Sequence, residues 1–290
     1  MPEFSGTWIR MPDIARLETV IDVDTFQKAL ELIAKKQWLV TKERKLIDLL
    51  SECKNRSELN LISDLILRFR YFEGINIEFC LRSIAHQINS VWNLGANNTV
   101  IVGKKIEEFS DSSLAVNYMI QPSFASYNGW SKGSFTKNLE NSIFNAKYDN
   151  IVIVDDYSGS GLSLNKLCKW TEDKIRSQSR QINIYACFFC VSQQTISSQH
   201  PILKELYAVQ TINRGISDHF GQNSIEIDTM KSIEARLKNL PARYEFGFEQ
   251  TEALYGSQNF NIPNNNFPVF WWDKAASGTR RNAMFARIGR

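Results

Sequence analysis

Three short apolar runs constrain the fold more than any other feature of the chain: Thr99-Val-Ile-Val102, Ile151-Val-Ile-Val154 and residues 182–191 (INIYACFFCV). Each is apolar at successive positions rather than at every second one, as a strand must be when both of its faces are buried. Residues 206–211 read as a fourth strand. Between the runs lie stretches of helical character, at 111–119, opened by Asp111 or Ser112, and at 163–177. Apolar strands alternating with helices predict α/β architecture, a parallel sheet flanked by helices.

The flanks differ from this core. Residues 13–94 repeat helical periodicity. One stripe at 24–37 carries Phe26, Leu30, Ile33 and Ala34; a second stretch at 42–51 carries Leu46, Ile47, Leu49 and Leu50. Helices at 57–71 and 77–92 follow, the latter with Leu81, Ile84, Ile88 and Trp92 on one face. The turn Gly95-Ala-Asn-Asn98 closes this segment. The tail from Tyr244 is rich in Asn and aromatic residues, with no period. The expected organisation is a tag or disordered lead at 1–10, an N-terminal helical unit at 11–95, the α/β core at 96–245 and an irregular C-terminal tail at 246–290.

Chemistry concentrates in Ile151-Val-Ile-Val-Asp-Asp-Tyr-Ser-Gly-Ser-Gly-Leu-Ser-Leu164. A buried strand ends in two carboxylates, passes through a turn of small residues and enters a helix. Ligands of parallel sheets gather beyond the carboxyl ends of the strands. Gly159 and Gly161 let backbone approach closely and turn successive N–H groups to one spot, and the helix adds its positive end. A phosphate is the natural occupant, with Ser158, Ser160 and Ser163 as hydroxyl donors. The carboxylates of Asp155 and Asp156 make sense as partners of sugar hydroxyls, of a metal, or of both. A plain turn between strand and helix also uses Asp, Ser and Gly, although capping needs only one such aspartate.

This segment resembles the phosphoribosyl-pyrophosphate (PRPP) motif of the type I phosphoribosyltransferases. Ser160, Gly161 and Ser163 fall on the motif's Thr, Gly and Thr positions; Leu162 and Tyr157 depart from it. The resemblance implies that Asp155 and Asp156 are catalytic, holding the ribose hydroxyls and Mg²⁺. It also implies that Ser158, Gly159, Ser160, Gly161 and Ser163 bind the 5′-phosphate. The family's pyrophosphate loop would fall after the first core strand, making Lys104, Lys105, Asp111, Ser112 and Ser113 its counterparts here. Arg280 and Arg281 are further candidate phosphate ligands, since guanidinium matches phosphate geometry. The tail is similar to that of a phosphoribosyltransferase-like group of effectors in bacterial antiviral defence, some associated with retrons.

Three functions fit: an enzyme displacing pyrophosphate from Mg–PRPP, a module sensing PRPP or a nucleotide, or an interaction protein. The last would dock its helices and Trp271 and Trp272 onto a protein or nucleoprotein partner. The resemblance also implies a homo-oligomer, commonly a dimer. A net charge of +3 gives no argument for nucleic-acid binding. With no apolar window near membrane-spanning length and no leader, the expected location is cytoplasmic, without a membrane partner. Cys187 and Cys190 read as core residues, Trp130 and Lys132 as part of a loop or lid at 121–147, and His219 as a candidate base beside Asp218.

Overall fold

The computed structural model describes residues 22–103 and 112–288. Lys104, Lys105 and Asp111 therefore lie outside the described residues, as does the expected lead at 1–10. The described chain opens with three helices, α1 (Val23–Lys35), α2 (Glu43–Ser51) and α3 (Arg56–Arg68). Asp22 caps α1 by accepting from the Thr25 N–H at 3.3 Å, and Asn55 caps α3 in the same way at 3.0 Å. A short strand, β1 (Arg70–Phe72), and helix α4 (Ile75–His86) follow.

The buried face of α1 is not the one the sequence suggests. Thr25, Ala29 and Leu32 face inward, while Phe26 and Leu30 remain 43% and 49% exposed. The helix is turned by about one residue, some 100°. This puts its small residues, Thr25 and Ala29, on the side where it packs on α2 and α3. On α2 the expected Leu46, Ile47, Leu49 and Leu50 are all buried.

The core then alternates strand and helix. Its elements are β2 (Thr99–Val102), α5 (Ser112–Met119), β3 (Phe135–Thr136), α6 (Leu139–Phe144), β4 (Asn150–Ser158) and α7 (Leu162–Ser177). After them come β5 (Asn183–Ser192), α8 (Gln193–Ser197), β6 (Leu203–Ile212), α9 (Ser217–Phe220), α10 (Ile225–Glu234) and β7 (Tyr255–Ser257). Five strands form one sheet in the order β3-β2-β4-β5-β6, every neighbouring pair parallel. This is the α/β fold, a parallel sheet flanked by helices, that the apolar runs predict.

Successive strand residues face opposite sides. Ile151 and Ile153 of β4 pack with Leu139 and Ile143 of α6 and Leu164 and Leu167 of α7. Val152 and Val154 pack on the other face with Cys80 and Ile84 of α4 and Val116 of α5. Helix α4 thus covers the sheet, while α1–α3 share a separate core with the tail, where Leu46 and Leu65 are clustered with Phe267, Phe270, Trp271 and Trp272. The tail is tied in further by β7, which runs parallel to β1 with Tyr255 opposite Arg70. Trp271 and Trp272 are 1% and 5% exposed, so they are core rather than a docking surface. Among the described residues no helix is long and apolar enough to cross a membrane.

Candidate functional site

In the sheet, β2 leads outward to β3 on one side, while β4 lies on its other side and leads on to β5. The carboxyl ends of β2 and β4 therefore flank the point where strand order reverses, the position at which open parallel sheets hold ligands. Strand β4 runs through both aspartates to Ser158, longer than its apolar residues alone suggest. Gly103, directly after β2, has no room for a side chain: a Cβ there would stand 2.4 Å from the Ser113 carbonyl oxygen. Its absence lets α5 settle onto the strand end, which brings Ser112 to the acidic pair.

The Ser112 hydroxyl donates to Asp155 Oδ1 at 2.7 Å, and the Asp156 N–H donates to the same oxygen at 2.8 Å. Asp156 is 5% exposed and accepts from the Tyr255 hydroxyl at 3.2 Å. The Tyr255 ring stacks on Tyr157, centroids 4.4 Å apart and 9° from parallel. Burial pushes the Asp155 carboxyl well above the usual carboxylate range, and the neighbouring Asp156 charge adds to it. Burial also raises Asp156, opposed in part by hydrogen bonds from Asp155, Ser112 and Tyr255.

Beyond the acids, the turn is shaped from behind. Thr195 Oγ1 donates to the carbonyls of Ser158 and Gly159 at 3.0 and 2.8 Å, and Ser192 Oγ donates to the Gly159 carbonyl. A peptide's C=O and N–H point in opposite directions across a planar bond. With both carbonyls held by the turn from β5 to α8, the N–H groups of Gly159 and Ser160 point the other way. Neither these nor the N–H groups of Gly161 and Ser163 have an acceptor among the described residues. Gly161 caps α7 with φ +74°, a left-handed conformation that glycine adopts without cost. The result is a row of outward donors at the positive end of a helix spanning Leu162–Ser177, an arrangement suited to an anion.

The serines divide. Ser158 is 8% exposed and its hydroxyl pairs with Thr195 Oγ1 at 3.1 Å, so it serves the fold. Ser160 accepts from the Leu162 N–H at 3.4 Å, and Ser163 lies exposed in the first turn of α7. Ser113 is buried within α5.

Arg281 is placed far from any ligand role. Its Nε donates to Glu52 at 2.9 and 3.0 Å, and its remaining nitrogens hold the carbonyls of Trp272 and Val269 at 2.6 and 3.1 Å. Arg280 is exposed beside it, in a surface depression shared with Asp48 and Arg236. The Asp218 carboxylate pairs with Arg214 at 2.8 Å, while the His219 ring stands edge-on to Phe220. Trp130 donates to Asn89 Oδ1 at 2.7 Å and packs on Phe124, which anchors its loop. Cys187 and Cys190 are fully buried, and burial raises both thiols.

Two contributions from the tail escape a reading of the sequence. One is Tyr255. The other is Asn265, whose amide fills the space beside Gly159: a Cβ there would lie 2.3 Å from Asn265 Cγ. Asn265 is held in turn by its own carbonyl, which accepts from the Ala253 N–H at 3.0 Å and Thr251 Oγ1 at 2.9 Å. The supporting segment is strained, with Phe246, Glu249, Gln250 and Glu252 all at positive φ (58°, 57°, 51° and 48°). An N-cap pattern, Ser192 followed by Thr195, marks the start of α8, but nothing local to it announces the loop it supports.

Among the described residues no group of three His, Cys, Asp or Glu side chains is arranged to hold a metal ion. Mg²⁺ commonly keeps several waters and takes one or two carboxylates together with substrate phosphates. The acidic pair fits that role for an ion that arrives with a phosphorylated ligand, Asp155 being the carboxylate not engaged by Tyr255.

No curated protein matches the chain. Among solved structures, it is similar to a purine phosphoribosyltransferase of Pyrococcus horikoshii Ot3, with 13% identity and a TM-score of 0.29 over 49% of this chain and 91% of that one. It is also similar to a hypothetical protein of Neisseria gonorrhoeae with bound ppGpp, at 12% identity and a TM-score of 0.33, over 58% of this chain and 97% of that one. Residues 50–287 match the sequence profile of PRTase-CE, and the chain belongs to this phosphoribosyltransferase-like family.

Proposed function

We propose that the chain binds PRPP at the carboxyl end of β4 and transfers its ribosyl phosphate to an acceptor with release of pyrophosphate. The observation that carries this reading is the row of outward N–H groups at Gly159, Ser160, Gly161 and Ser163 directly after the acidic pair. The loop and the start of α7 take the 5′-phosphate. Asp155 accepts hydrogen bonds from the ribose hydroxyls, which sit one sugar's length from that phosphate. In the reaction the bond from ribose C1 to pyrophosphate breaks and a bond from C1 to the acceptor forms. The protein's part is to hold both ends of the sugar still while positive charge develops on the ring. Mg²⁺ carried by PRPP, held on the protein side by Asp155, would neutralise charge on the departing pyrophosphate.

The test is a PRPP titration in Mg²⁺ by calorimetry, with pyrophosphate release measured in the same samples. Saturable binding with release is expected. Asp155→Asn is expected to weaken binding on the order of a hundredfold, through loss of charge-assisted hydrogen bonds. Binding without release would reassign the loop to sensing, a reading favoured by the commitment of Arg281 to Glu52. No binding by the native chain would overturn the proposal.

A further inference from the structure

Two adjacent acids at a ligand site are usually assigned one shared task, but here their surroundings separate them. Asp156 falls on the side of β4 that carries Val152 and Val154, where Tyr255 is part of the same buried cluster. Tyr255 is fully buried. Its backbone N–H donates to Asn266 Oδ1 at 2.8 Å, and its strand is registered against β1. Its hydroxyl meets both the carboxylate and the carbonyl of Asp156, at 3.2 and 3.4 Å. Asp155, half-buried, accepts from Ser112 and from the Asp156 N–H and has a side-chain contact with Asp156, but none with Tyr255.

We propose that Tyr255, a tail residue, is a positioning residue of the PRPP site: it holds Asp156 back from the ligand and leaves Asp155 as the carboxylate that meets it. The proposal rests on the functional reading above. Burial keeps the Tyr255 phenol protonated, so it remains a donor at any pH of interest. Asp156 is thereby fixed in one orientation, and its charge sets the environment of Asp155 without touching the sugar. The other titratable groups facing Tyr255 and Asp156 among the described residues are Tyr157, Cys80 and Cys190. Burial raises all three, so none of them competes for the Tyr255 hydroxyl as a charged group.

The test compares native chain, Tyr255→Phe, Asp156→Asn, Asp155→Asn and the Tyr255→Phe/Asp156→Asn pair. It has two readouts: the infrared carboxyl bands of ¹³C-labelled aspartates at one fixed pH, without ligand, which report hydrogen bonding to Asp156, and PRPP affinity in Mg²⁺. Tyr255→Phe is expected to shift one aspartate carboxyl band and to weaken PRPP roughly tenfold, the scale of one hydrogen bond to a charged group. Asp156→Asn should weaken PRPP to a similar extent, and the double variant no further. Asp155→Asn should cost far more. Unmoved carboxyl bands in Tyr255→Phe, or equal losses for Asp155→Asn and Asp156→Asn with additive effects in the double variant, would overturn the proposal. If the native chain binds no PRPP while the band still moves, the functional reading fails and the Tyr255–Asp156 coupling stands.

Discussion

Gly159 shows how much one position can carry. Its missing side chain leaves space for the Asn265 amide, itself 9% exposed and bonded through Nδ2 to the Phe248 carbonyl at 3.3 Å. Gly159→Ala should therefore force the tail and the loop apart, lowering stability by roughly 1–3 kcal/mol as overpacking does. Adding Asn265→Gly should recover most of that loss. Thermal unfolding of the two variants and the pair checks this; equal midpoints for Gly159→Ala with and without the second change would refute it. At this scale the sequence singles out Asp155 and the small residues after it as candidates, because their chemistry is local. It was silent on Tyr255 and Asn265, which reach the loop from about a hundred residues away. It also credited Ser158 with a ligand role, whereas a buried hydroxyl beside Thr195 is better described as a strut.

Elements were legible in proportion to how regular their burial is. Strands β2, β4 and β5 are covered on both faces, so their apolar runs stand out, and α7 follows the loop within a residue of where its periodicity places it. Helix α1 forms where its periodicity places it but presents another face, since its inward side uses Thr25 and Ala29 and leaves larger residues outside. Strands β1 and β7 have three residues each and no period to detect. The tail holds itself by bonds from side chain to backbone: the Trp271 indole N–H donates to the Asn266 carbonyl and that of Trp272 to the Lys238 carbonyl, both at 3.0 Å. Trp271→Ala should accordingly cost about 3–5 kcal/mol, as for other large buried aromatics. Urea unfolding measures it, and an unchanged midpoint would restore the tail as a docking surface.

For the molecule as a whole, buried acids tie stability to pH. Glu234 is 3% exposed, and burial raises its carboxyl from an ordinary 4.5 to about 8, opposed by the Phe246 N–H it accepts at 3.0 Å. Between those values the folded chain keeps a proton that the unfolded chain has released. Stability therefore falls as pH rises through this window, by at most about 1.4 kcal/mol per pH unit for this one group. Asp155 and Asp156 add a slope of the same sign. Glu234→Gln should flatten the difference between mildly acidic and neutral pH, visible as urea midpoints that vary less with pH than those of the native chain. Equal slopes would remove Glu234 from the account.

The pairing of β7 with β1, and of Tyr255 with Asp156, also dictates an order of events during synthesis. The whole parallel sheet, with the acids and the turn after them, is made before Tyr255 and Asn265. A nascent chain can thus carry the recognisable motif while lacking the residues that orient it, and the candidate site is complete only once Tyr255 and Asn265 have emerged.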